Sequence, residues 1–322
     1  MTENQYTYAV ARIRSKELAL LNQQVLEQLL ASKDYDECIR LLQEKGWGNQ
    51  DTRTAEEILK VEQDKTWSLM EELVDDISVF DVLLYGNDYH NLKGAIKQVY
   101  ARAEITGIYL SHGTVKSEVI YQAVKENDFE ALPEHMREAA KEAYEALFHT
   151  GDGQLCDIII DRAALGAIWE GGKASHNEIL EGVAELKAVT ANINIAIRGT
   201  RTGKDAEFFK RALADCGTLD IDELTKAAMD SEASIYDYLL TTPYSDAVPA
   251  IKDSLSSFER WCDNRILKLI KPQRFNPFTI SPLVAYILGR EYEIKSVRIL
   301  LSGKLNNLSE NLIQERLRET YV

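Results

Sequence analysis

Five histidines, His90, His112, His135, His149 and His176, are the side chains best suited to proton transfer or metal binding near neutral pH. No two of them stand four residues apart, so no helix can present a histidine pair to zinc, and no short Cys/His cluster makes a metal site. Cys38, Cys156, Cys216 and Cys262 are 118, 60 and 46 residues apart, a spacing of neither a disulfide framework nor a zinc site, and they are expected to be buried thiols. Gly199-Thr200-Arg201-Thr202-Gly203-Lys204-Asp205 imitates a phosphate-binding loop. Three residues instead of four separate its glycines, Asp205 replaces the hydroxyl that would meet Mg²⁺, and the segment follows a helix rather than a strand. Gly151-Asp152-Gly153 lacks the third glycine of a dinucleotide fingerprint and is expected to link two helices. Carboxylate pairs such as Glu71-Glu72 and Asp75-Asp76 are solvated helix faces in a chain with 52 acidic residues. No serine elbow or Cys/His nucleophile pair occurs. No catalytic, cofactor-binding or metal-binding residue is assigned, and the pattern is that of an interaction protein.

The elements that carry these residues are helical. The chain has six prolines in 322 residues, none before Pro133 and none between Pro133 and Pro243. Ordinary usage of about 5% would give about sixteen, and strand-rich folds need a Gly or Pro turn every 8–12 residues or so. Leu18, Leu21, Val25, Leu29 and Leu30 predict one apolar stripe on a long first helix. A second helix is predicted over 36–45 with Gly46 as its stop, and a third opens at Thr54, where Glu57 completes a capping box, and runs to about residue 80. Gly86-Asn87-Asp88 reads as a turn before a helix over 89–110.

The net charge of −15 argues against nucleic acid, which needs a basic stripe to release counterions. No run approaches the ~18 apolar residues of a membrane span, and Met1-Thr2-Glu3-Asn4-Gln5 has no signal-peptide core. A cytoplasmic location is expected.

Internal repetition is the most informative signal. Asn91-Leu92-Lys93-Gly94-Ala95-Ile96-Lys97 resembles Asn192-Ile193-Asn194-Ile195-Ala196-Ile197-Arg198, 101 residues later, and Ser296-Val297-Arg298-Ile299-Leu300-Leu301-Ser302, 104 residues beyond that. Each has apolar side chains at its second, fifth and sixth positions. Gly113-Thr114-Val115 and Gly217-Thr218-Leu219, 104 residues apart, agree, and Asp34-Tyr35 resembles Asp128-Phe129. The period predicts three similar all-α domains, 1–112, 113–216 and 217–322, packed about a pseudo-threefold axis as a ring or funnel with a central socket. A linear arrangement is the alternative.

Both ends of the chain carry a family signature. Ile280-Ser281-Pro282-Leu283, Tyr286, Arg290-Glu291-Tyr292-Glu293-Ile294, Val297-Arg298, Gly303-Lys304, Ile313 and Arg316-Leu317-Arg318 resemble the C-terminal region of the C subunit of prokaryotic V/A-type ATPases, the counterpart of the vacuolar ATPase d subunit. Tyr6, Tyr8 and Ala11-Arg12-Ile13-Arg14 resemble the family's opening, with Val10 where Asn is common, and Asn91-Leu92-Lys93 also matches. The middle, about 110–185, carries little of the likeness.

The resemblance implies an all-helical, funnel-shaped, non-catalytic central-stalk (rotor) subunit without cofactors, a monomer within a larger complex. Such a protein receives the D and F subunits of the central shaft in its socket. It sits on the cytoplasmic face of the membrane proteolipid ring, without lipid insertion, and couples ATP turnover to H⁺ or Na⁺ transport. Arg298 matches the family's arginine; Lys93, Arg198, Arg12 and Arg14 join it as candidates for contact with the axis or a partner. The alternative for each is an ion pair with a carboxylate on its own or an adjacent helix. Rival functions are a helical adaptor unrelated to the ATPase, and an all-helical lyase or hydrolase with scattered carboxylates.

Overall fold

The computed structural model describes residues 6–103 and 105–322; the polar stretch 1–5 lies outside them. Sixteen α-helices and three short 3-10 helices occur among the described residues, joined by turns and loops, with no strand among them. The chain is all-α. No described helix is long and apolar enough to cross a membrane.

Contacts divide the chain into two compact units, one formed by its two ends (to residue 77 and from 249), the other by residues 78–248. The first begins with α1 (Thr7–Glu17), α2 (Gln23–Leu30), α3 (Tyr35–Glu44) and α4 (Ala55–Leu73). The second contains α5 (Asp81–Ala101), α6 (Ser117–Glu126), α7 (Glu134–Thr150), α8 (Gly153–Ala174), α9 (Glu178–Arg201), α10 (Ala206–Ala212), α11 (Ile221–Asp230) and α12 (Glu232–Leu240). After α13 (Ala247–Asp253), the first unit is completed by α14 (Leu255–Ile270), α15 (Ser281–Leu305) and α16 (Glu310–Gln314).

Side-chain caps set many of the starts. Asn22, Asp34, Asp152, Asn177, Asp205, Asp220 and Ser309 each accept a hydrogen bond from a backbone N–H in the first turn that follows. Thr54 and Glu57 form the expected capping box. Four expectations are corrected, the first being that α4 ends at Leu73 rather than near residue 80, with Val74 extended. The predicted first helix is broken: α1 ends at Glu17, and Asn22 caps a separate α2, because a side-chain cap there competes with helix continuation. Gly86, Asn87 and Asp88 are not a turn but lie inside α5, where tertiary contacts of Asp88 override weak local propensity. That helix ends at Ala101 rather than near 110, with Arg102 left-handed at φ 51°.

The three repeat segments fall on three extensively buried helices: α5, α9 and α15. Their first, second, fifth and sixth positions are buried in every copy: Asn91, Leu92, Ala95 and Ile96; Asn192, Ile193, Ala196 and Ile197; Ser296, Val297, Leu300 and Leu301. In the unit made from the chain ends, Ile294, Val297, Leu300 and Leu301 of α15 pack into one core with Leu26, Leu29, Cys38, Leu42, Ile58 and Leu59. In the other unit, Leu92 and Ile96 pack with Ile120, Met136, Ala140, Cys156 and Ile160 from α6, α7 and α8. Gly172 lets α8 lie against α9, since a Cβ there would come 2.5 Å from the Ala184 Cβ. The compact units meet at 77/78 and 248/249 along the chain, whereas the repeat spacing divides it at 112 and 216; α5 and α9 share one compact unit, so unit count and repeat count are different properties.

Candidate functional site

Helix α15 begins with Pro282 in its first turn, where a missing N–H costs nothing. Tyr286, Arg290 and Glu293 then recur at four and three residues, on one stripe of the helix. Arg290 is buried among carboxylates: its Nη2 donates to Glu62 Oε2 at 2.5 Å, its Nη1 to Glu293, and its Nε to Thr66 Oγ1 at 3.4 Å. The guanidinium lies 5.1 Å from the centre of the Trp47 ring, a cation–π placement. Glu62 also accepts from the Gly48 N–H at 2.8 Å and Lys65 Nζ at 2.7 Å, and Glu293 accepts from the Leu21 N–H. One buried cluster thus ties α4, α15, the α1–α2 linker and the α3–α4 loop. Burial works against the charge on Arg290, but Glu293 and Glu62 outweigh it and raise its pKa, so it stays a cation. Burial raises Glu293 too, opposed by Arg290 and the Leu21 N–H.

A second buried carboxylate organises the same unit. Glu17 accepts from Tyr321 Oη at 2.9 Å and Arg14 Nη1 at 2.8 Å, and forms a longer ion pair with Arg274 Nε at 3.6 Å. Burial, and next the Glu17 charge, push the Tyr321 phenol upward, so it remains a donor. Other residues of the family signature are equally structural: Lys304 Nζ donates to the carbonyls of Leu30 and Ser32, and Arg318 Nε to Asp263 at 2.6 Å. A Cβ on Gly303 would lie 2.5 Å from Ile313 Cγ1, so glycine there lets the chain fold back through α16.

In the other unit the repeat markers are two copies of one latch. Asn91 Nδ2 donates to the Leu110 carbonyl at 3.1 Å and its Oδ1 accepts the Leu110 N–H at 2.8 Å. Asn192 does the same with Ala214, at 2.7 and 3.0 Å. The Gly-Thr segments are caught just downstream. Asp88 accepts from Thr114 N–H, Thr114 Oγ1 and Val115 N–H at 3.2, 2.7 and 3.3 Å. Glu185 accepts from Gly217 N–H and Thr218 N–H at 2.7 and 2.8 Å, and from Thr218 Oγ1. Burial raises the Asp88 pKa, against the lowering by its Thr114 and Val115 donors. In the sequence the shared asparagine is only the first letter of an apolar pattern; its recurrence is the signal that could have found this latch.

The five candidate contact residues fall in both units. Arg12 Nη2 meets Glu72 at 2.9 Å, Arg14 meets Glu17, Lys93 meets Asp161 at 2.5 Å, and Arg298 Nη1 straddles Glu56 at 2.7 and 2.9 Å. Arg198 is exposed, and its side chain has no hydrogen bond or ion pair among the described residues. Arg14 sits within the Glu17 cluster, while Arg12 and Arg298 each bridge to α4 and Lys93 bridges α5 to α8. No group of three His, Cys, Asp or Glu able to hold a metal ion occurs among the described residues. Among the described residues, Arg12, Arg14, Lys93 and Arg298 are thus engaged in ion pairs and Arg198 is not.

The family model of the ATP synthase (C/AC39) subunit matches residues 9–316. The chain belongs to that family. The C subunit of the V-type sodium ATPase of Enterococcus hirae is 26% identical, over 96% of this chain and 97% of its own length. The C subunit of the A-type ATP synthase of Desulfurococcus sp. is 25% identical over 98% and 90%, and that of the V-type ATP synthase of Thermus thermophilus 23% over 97% and 98%. The ATP synthase (C/AC39) subunit is a structural, non-catalytic part of a rotary ATPase, and this chain is accordingly a subunit of a V/A-type complex. Membership removes both the unrelated adaptor and the lyase or hydrolase.

Proposed function

We propose that this chain is the central-stalk rotor subunit of its V/A-type ATPase, joining the D/F shaft to the proteolipid ring on the cytoplasmic face of the membrane and so coupling ATP turnover to H⁺ or Na⁺ transport. The family match, running from residue 9 to 316 with no large unmatched part, carries the reading. The three-domain division (1–112, 113–216, 217–322), the pseudo-threefold axis and the funnel with its socket belong to it. Two structural features support it. A torque-bearing part must not yield, and buried ion clusters on Arg290 and Glu17 tie helices together inside one unit. The latches on Asn91 and Asn192 fix the connector after each long helix.

Among the proposed contact residues, Arg198 has its charge uncommitted, whereas Arg12, Arg14, Lys93 and Arg298 already meet carboxylates. The test is reconstitution. The purified chain mixed with its cognate D and F proteins forms a stable complex by size-exclusion chromatography, and the chain alone has no ATPase activity. In membranes lacking the chain, ATP hydrolysis by the catalytic head persists without ion transport. Failure to bind D and F, or ion transport undiminished without the chain, overturns the reading. Arg198→Glu weakens D/F binding more than Arg298→Glu, with both variants folded; the reverse order removes Arg198 as a contact.

A further inference from the structure

A loop in the unit made from the chain ends carries two exposed phenylalanines close together. From α14 the chain enters the 3-10 helix Lys271–Phe275 and reaches α15 through Asn276, Pro277, Phe278, Thr279 and Ile280. Phe275 is 85% exposed and Phe278 60%. Leu18, the residue after Glu17, is 89% exposed, and Glu17 itself forms an ion pair with Arg274 at the start of this loop. Two solvent-facing phenylalanines within four positions are unfavourable for an isolated surface. Exposed aromatic rings of this kind are enriched where proteins meet partners.

Charge singles out the same stretch. No acidic residue occurs between Asp263 and Glu291, in a chain with 52 of them, while Arg265, Lys268, Lys271 and Arg274 precede the phenylalanines. Lys268 is exposed and makes no ion pair among the described residues. Lys271 and Arg274 are braced by Glu319 at 3.0 Å and Glu17 at 3.6 Å, and the Arg274 guanidinium lies 5.5 Å from the Tyr321 ring centre. Beside the loop lies a shallow, open depression lined by Pro272, Phe275, Thr320 and Tyr321. The basic start of the loop is therefore anchored before any partner arrives, which lowers the ordering cost of binding there.

We propose that Phe275 and Phe278, flanked by Lys268 and braced by Lys271 and Arg274, form a docking knob for another protein subunit of the rotary complex, one offering an apolar pocket rimmed by carboxylates. The proposal rests on membership of the complex and not on the rotor reading. A protein fits better than a lipid surface, because the apolar groups are two projecting rings on a short loop rather than a long amphipathic face. Aromatic anchors seated in pockets, with charges at the rim, are the usual energetic centre of such contacts.

The test uses the assembled complex with a benzophenone-bearing phenylalanine analogue placed at 275 or at 278. Irradiation yields adducts from both positions to one other subunit, within a peptide containing Asp or Glu. Phe275→Ser combined with Phe278→Ser keeps the far-UV dichroism and melting temperature, since both rings are exposed, yet weakens retention in the complex at least tenfold. Lys268→Glu weakens it severalfold, in a salt-dependent way. Adducts to phospholipid only, adducts only within this chain, no adducts, or a double-serine variant that is retained like wild type each overturn the proposal. A chain that cross-links as expected but does not couple ATP turnover to ion transport defeats the rotor reading and leaves this one standing.

Discussion

Arg290 meets Glu62 and Glu293 inside a shell that also contains Trp47 and Thr66. Arg290→Ala leaves two buried carboxylates facing each other, and breaking such a pair costs about 3–5 kcal/mol; urea denaturation should show a loss of that size. Replacing Arg290 by Met with Glu62→Gln and Glu293→Gln should cost much less, because no uncompensated charge remains. Asp88 is a different case, with neutral donors on its carboxylate and burial holding its pKa above the ordinary value near 4. The native state then binds a proton more tightly than the unfolded chain, so ionisation removes stability as pH rises from about 4 through the raised native value. Wild type should lose stability relative to Asp88→Asn across that window. His135 opposes the trend: burial lowers its pKa, despite Asp88 raising it, so its own contribution grows as pH rises toward its unfolded value near 6.5. Urea titrations of both proteins from pH 4 to 7 separate the two. The Arg290–Glu293 pair has helical spacing in the chain, but its partner Glu62 is 228 residues away and is not visible in the chain order. The recurrence of asparagine at 91 and 192 is visible, but its bonding is not.

At the scale of elements, periodicity locates the helices that matter and misjudges their ends. The second, fifth and sixth positions of the three repeat segments are legible as apolar and are buried in α5, α9 and α15. Leu18 fits the stripe of the predicted first helix by spacing alone; it lies in the break after α1 and faces solvent. Gly86-Asn87-Asp88 has turn composition, and only the distant Thr114 and Val115 donors explain its helical state. The latches can be tested at this scale. Asn192→Ala strips the Ala214 N–H and carbonyl of their partners in a buried setting, at about 1–3 kcal/mol for a stranded group. Amide exchange should then speed up at Ala214 while the N-terminal turns of α9 keep their protection. Thr54→Ala, which removes one half of the α4 capping box, should cost about 1 kcal/mol in thermal denaturation.

The whole molecule is built from one continuous stretch, 78–248, and one assembled from both ends of the chain. Limited proteolysis should reflect this: a resistant fragment near 78–248 that refolds cooperatively on its own, and an N-terminal fragment ending near 77 that stays soluble and folded only with the 249–322 fragment present. If the N-terminal fragment folds alone, the shared core of α15 with α2, α3 and α4 contributes less than its burial implies. This split organisation also sets an order of events while the protein is being made. Residues of α2, α3 and α4 leave the ribosome early, with Leu26, Leu42 and Ile58 uncovered, and their core is completed only when α15 emerges. At about 5–20 residues per second, the intervening stretch delays that meeting by some tens of seconds at the slow end. The nascent chain therefore carries an unfinished apolar surface past a neighbour that is already able to fold, and a chaperone bound to the first helices would raise its yield.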